Sequence, residues 1–110
     1  MRIVLDASAA VEAVMDEESK VHALLEYASA ILAPKHFIVE VTSGLWQYVT
    51  LRGLPIDEAA ERLEVASEMV FTYRDVPPLA EEVLREASAR RHSVYDLYYA
   101  VLARREKAAV

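Results

Sequence analysis

A chain of 110 residues can build one hydrophobic core but not two, and its net charge of -6 argues against a uniformly basic grip on nucleic acid. It is 55% hydrophobic, yet no apolar run reaches the roughly 18 residues of a membrane helix, so the surplus is expected in a core or against a partner. With no cysteine, disulfides and thiolate metal sites are excluded.

The first predicted element is a short apolar strand, Arg2–Leu5, ended by Asp6. That run is too short for a secretory core, so a cytoplasmic location is expected. Ala7–Met15 reads as a helix with Asp6 or Ser8 as its cap. A second helix is predicted from about Ser19 to Tyr27, then a buried strand, Ala30–Ala33, stopped by Pro34. A long helix follows from Phe37 to Arg52, with Gly53 as its natural stop. Asp57 is expected to cap a helix to about Glu68, on which Glu58 and Arg62 form an i,i+4 pair. Met69–Tyr73 reads as a third strand. Pro77-Pro78 opens a helix to about Arg91, and Ser93 starts a last helix ending near Lys107. Ala108–Val110 look like the first residues of a fourth strand.

Short strands alternating with helices predict a single α/β domain, a three-layer α/β/α arrangement around a short parallel sheet. In such a sheet, ligands bind outside the carboxyl ends of the strands. Asp6 lies at such an end. Glu40 falls in the first turn of the helix after strand 2, and Asp96 in the first turn of the last helix. Three carboxylates are thus expected to converge. At roughly 5 Å and an effective dielectric of about 20, each like-charged pair costs on the order of 3 kcal/mol, so a cation is expected among them. Hard oxygen ligands suit Mg²⁺ or Mn²⁺.

Each acid also has a plainer explanation. Asp6 could simply cap its helix, and Ser93-x-x-Asp96 fits a capping box. Glu40 is harder to dismiss, because Phe37, Ile38, Val39, Val41, Leu45 and Trp46 leave its helix only a narrow polar stripe. His22, His36 and His92 lack metal-ligand spacing and read as surface or capping residues. No glycine-rich phosphate loop exists, since Gly44 and Gly53 are the only glycines. Charge is uneven: after residue 84, Arg85, Arg90, Arg91, Arg104, Arg105 and Lys107 outnumber Glu86, Asp96 and Glu106. A phosphate backbone is therefore expected near the C-terminal third, with Arg85, Arg90 and Arg91 as its grips; alternatively these arginines only solvate helices.

Ile3-Val4-Leu5-Asp6-Ala7-Ser8, Pro34 followed by Glu40-Val41, and Ser93-Val94-Tyr95-Asp96-Leu97-Tyr98-Tyr99-Ala100 resemble, in order and spacing, the three acidic motifs of the PIN-domain ribonucleases, above all the toxins of VapC-type toxin–antitoxin pairs. The resemblance implies metal-dependent hydrolysis of RNA, with Asp6, Glu40 and Asp96 around the ion and Ser8 bonded to a metal-bound water or the phosphate. It also implies a homodimer and inhibition by a small antitoxin. Members often carry Asn where this chain has Ser43, and a fourth acid about twenty residues after Asp96, beyond the sequence given. The chain is accordingly expected to be truncated at its C-terminal strands. The alternative is a PIN-like binding module that cleaves nothing. It draws on the long helix, where Phe37, Val41, Leu45 and Tyr48 form one apolar stripe and Ile38, Trp46 and Val49 another.

Overall fold

Strands of three to five residues cannot stand alone, and parallel ones need a helical crossover to bring the chain back. The computed structural model, which describes residues 1–110, meets both demands. β1 (Arg2–Val4) pairs in parallel with β2 (Ala30–Pro34), setting Ile3 opposite Ile31. β3 (Thr72–Arg74) pairs in parallel with the other side of β2. Where a fourth strand is expected, Ala109 makes an isolated parallel bridge to Ile3, through bonds from Val4 N–H to Ala109 O (2.7 Å) and Ala109 N–H to Arg2 O (3.0 Å).

The helices are α1 (Ala7–Met15), α2 (Val21–Tyr27), α3 (Phe37–Arg52), α4 (Ile56–Glu68), α5 (Ala80–Arg90) and α6 (Val94–Glu106). α6 lies against β1 and β2 and carries α5, while α1, α3 and α4 pack on one another. Val4, Leu32, Phe37, Val41, Val83 and Val101 fill the centre and are fully buried. Arg62 of α4 ties that helix to α1 by donating to the Val14 carbonyl, and its other arm meets Glu58 at 2.6 Å, the expected i,i+4 pair. Gly44 lets α1 and α3 close up, since a Cβ there would stand 3.0 Å from Val11 Cγ2. No helix is long and apolar enough to cross a membrane.

Several boundaries differ from expectation: β1 ends at Val4, α2 starts at Val21, and Pro77–Leu79 form a 3-10 turn before α5. α4 ends at Glu68 as expected, with Ala66 buried and Met69 N–H returning to its carbonyl, but strand pairing starts only at Thr72, not at Met69. Pro55, not Asp57, occupies the cap position of α4, which puts Asp57 in the first turn, where its charge favours the helix dipole. Pro34 ends β2 as a paired residue opposite Arg74; lacking an N–H, it leaves the next ladder bond to Lys35 N–H, 2.9 Å from Arg74 O. The two apolar stripes of α3 separate as expected. Phe37, Val41 and Leu45 are buried, whereas Trp46 is 62% exposed beside Val49, Ile56 and Leu63 in an apolar groove between α3 and α4.

Candidate functional site

The N-termini of α1, α3 and α6 each carry one of the three expected acids. Asp6 occupies the cap position of α1 with extended backbone, φ -84° and ψ 160°. Its Oδ1 accepts the Ala9 N–H at 2.7 Å. The plainer role of Asp6 is thus filled by one oxygen, and Oδ2 makes no hydrogen bond. Glu40 lies in the first turn of α3, where Tyr99 of α6 donates its hydroxyl to Oε1 at 2.8 Å. Nε2 of His36 stands 3.0 Å from the same oxygen, at an angle that makes no hydrogen bond and leaves Nε2 buried without a partner.

His36 is half-buried, not the surface residue expected. Its ring meets those of Tyr98 and Tyr99 nearly edge-on, at centroid distances of 5.2 Å and 5.3 Å. Burial lowers its pKa, and the Glu40 charge offsets only part of that, so the imidazole is neutral at neutral pH. Glu40 therefore has no cationic neighbour. The Tyr99 phenol is pushed well up, first by burial, next by its bond to Glu40, then by the charges of Glu40 and Asp6. Both acids thus lie within electrostatic reach of one hydroxyl.

Asp96 lies in the first turn of α6 and is exposed. The expected capping box is not formed: Ser93 takes the cap position without a side-chain bond, and the Asp96 carboxylate makes neither hydrogen bond nor ion pair. Asp96 precedes Tyr99 by three residues, so the two share one face of α6. As the side chains stand, no three acidic or histidine groups are close enough to share an ion. The elements converge; the carboxylates do not yet meet. Their chemistry nonetheless fits a hard divalent cation, because none of the three pairs with lysine or arginine and each keeps a free oxygen.

A groove of about 810 Å³ runs between α1 and α3, from Ser8 and Glu40 past Gly44 to Tyr48, Arg52 and Leu54. Ser8 is exposed at its head. At its far end the Arg52 guanidinium sits 5.2 Å above the Tyr48 ring. The arginines expected to grip a phosphate backbone are elsewhere. Arg85 pairs with Glu81 at 3.5 Å and Arg90 with Glu86 at 3.0 Å, both along α5. Arg91 ends α5 in the left-handed region, φ 52°, unpaired and two residues before Ser93.

His36 and Tyr99 are the site residues that sequence reasoning missed. Their signals are slight: His36 precedes Glu40 by one helical turn, and Tyr99 follows Asp96 by one. A family model described as PIN domain matches residues 3–110 of the chain. A search of curated proteins found no match.

Proposed function

The chain belongs to the PIN domain family, whose members are generally nucleases, and from that premise we propose that it is a divalent-metal-dependent endoribonuclease, the toxin of a toxin–antitoxin pair, acting in the cytoplasm. Asp6, Glu40 and Asp96 hold Mg²⁺ or Mn²⁺, with Ser8 beside them at the head of the groove. The observation that carries the proposal is charge without compensation: Asp6 and Glu40 gather around the Tyr99 hydroxyl with no lysine or arginine paired to either.

When bound, the metal lowers the pKa of a coordinated water and stabilises the phosphate charge that builds during hydrolysis. The chain supplies the rest. Asp6 keeps Oδ1 on the Ala9 N–H, which fixes its rotamer and leaves Oδ2 for the ion. Glu40 offers Oε2 while Tyr99 holds Oε1. Asp96 joins the pair from the exposed first turn of α6. Ser8 donates its hydroxyl to a phosphate oxygen of the RNA. The strand lies in the groove between α1 and α3, where Tyr48 gives a stacking surface. Arg90 and Arg91 are the nearest cations in sequence to the α6 N-terminus and steer the backbone from that side.

The second reading, a domain that docks a partner and cleaves nothing, is favoured by exposed Trp46 and its neighbours Val49 and Ile56. A homodimer or a bound antitoxin would cover that face, so partner binding and catalysis are compatible. Cleavage of oligoribonucleotides with millimolar MnCl₂ separates the two readings. The expected result is metal-dependent cutting that Asp6→Asn reduces by more than the roughly 10–100-fold typical of losing an outer-shell partner. Absence of cutting by the wild type in any metal would leave the docking reading alone.

A further inference from the structure

We propose that Tyr99 is a positioning residue for Glu40: its buried hydroxyl, with His36 alongside, bonds one carboxylate oxygen and leaves the other free to face a divalent cation. The inference rests on the nuclease reading above and deepens it, since it concerns how one of the acids is delivered.

A glutamate in an exposed first turn has three rotatable bonds and no reason to prefer one orientation. Here Oε1 is held at 2.8 Å by the Tyr99 hydroxyl and faced at 3.0 Å by His36 Nε2. A carboxylate oxygen has two lone-pair sites, and the Tyr99 hydroxyl takes one of them. Oε2 makes no hydrogen bond. Oε2 is thus the oxygen of Glu40 left free to face an ion. The holder is itself held. Tyr99 is only 3% exposed, and its helix neighbours Leu97, Val101 and Leu102 are buried around it. Its ring is braced by the edge of His36. The ring belongs to the core; the hydroxyl alone reaches Glu40, across 59 residues of sequence. That separation makes the two roles divisible by a single atom.

The test is calorimetric titration of the whole chain with MnCl₂, in wild type, Tyr99→Phe, Glu40→Gln and the double variant, alongside melting of each without metal. Outer-shell partners of metal ligands typically change affinity 10–100-fold. Tyr99→Phe is expected to weaken Mn²⁺ binding about 10-fold, and to add little when combined with Glu40→Gln. Equal affinity of Tyr99→Phe and wild type, while Asp6→Asn abolishes binding, overturns the inference and leaves the metal site standing. The same loss from Tyr99→Phe with and without Glu40→Gln also overturns it, because the hydroxyl would then act only on the fold. No Mn²⁺ binding by the wild type overturns the nuclease reading and this inference with it. Should Tyr99→Phe not fold, Glu40→Asp keeps the charge and withdraws it from the hydroxyl; an affinity unchanged from wild type would refute the positioning role.

Discussion

Two regions of this molecule, the α5–α6 seam and the surroundings of Tyr99, treat their carboxylates oppositely. Along the α5–α6 seam, Arg104 reaches Glu82 and also Glu86 at 2.7 Å, while Arg105 meets Glu82 at 2.8 Å and donates to the Pro78 carbonyl at 3.0 Å. Every charge there has a partner, and the pairing pulls Glu82 and Glu86 below the usual carboxylate range, through their bonds to Arg104 first. Around Tyr99, Asp6 and Glu40 have hydrogen bonds but no cation, and Asp96 has neither. Glu82 and Glu86, which hold α5 to α6, are paired with arginine, whereas Asp6, Glu40 and Asp96 at the starts of α1, α3 and α6 are not. Arginines are available in this chain, and none is placed there. Unpaired acids that neighbour one another are stable only if helix dipoles, protons or an outside cation relieve them.

The largest effect that could break this contrast is metal stabilisation. With Mn²⁺ at about 100 times its dissociation constant, the fold is expected to gain roughly 2.7 kcal/mol, read as a raised melting temperature. Asp96→Asn should shrink that gain, whereas Arg104→Ala, in the other region, should leave it intact. A wild-type melting temperature blind to millimolar Mn²⁺ would remove the distinction between the two regions.

A smaller effect sharpens it by separating the two duties of Asp6. Without metal, Asp6→Ala loses the bond from the Ala9 N–H and should cost about 1 kcal/mol, while Asp6→Asn caps nearly as well as aspartate and should cost little. Urea unfolding of both variants measures this. A large metal-free loss in Asp6→Asn would mean that the charge itself supports the fold.

The smallest effect belongs to the exposed seam, where solvent and salt screen each pair. Glu82 and Glu86 have native pKa values lowered from 4.5. Their contribution is therefore complete above the unfolded value and is lost as pH falls below it through the native values. Arg104→Ala should flatten the acid limb of the stability–pH curve, and 1 M salt should narrow the gap between variant and wild type. An acid limb unaltered by the substitution would show that the seam's pairs contribute nothing measurable.

Much of this architecture is legible in the sequence because its signals are local. The limits of α1 and α3 follow from Asp6 as a cap, from the apolar spacing of Phe37, Val41 and Leu45, and from Gly53, which ends α3 with φ 70°. The helix starts on which Asp6, Glu40 and Asp96 sit can be placed the same way. What cannot be read is anything depending on two distant segments touching. His36 reads as surface because nothing in its own neighbourhood reveals three tyrosines arriving from α6. Ser93-x-x-Asp96 reads as a box, since spacing alone cannot say whether the carboxylate turns back or stays free. β3 starts later than its residues suggest for a related reason: Met69 and Val70 have strand-like side chains, but the burial of Ala66 carries the helix up to them.

The Tyr99–Glu40 bond also orders events in time. Asp6, Glu40 and Tyr99 are drawn from the first, middle and last thirds of the chain, and the hydroxyl closes a loop of 59 residues. Local helices form early, while contacts across long stretches must first meet the entropy of closing the loop. The acidic edge is therefore assembled late, when α6 docks on β1 and β2. Glu106 at the end of α6 fastens that docking to Arg2 of β1 at 2.7 Å and Arg74 of β3 at 3.3 Å. Until that last helix is synthesised and docked, Glu40 lacks the Tyr99 hydroxyl that holds it.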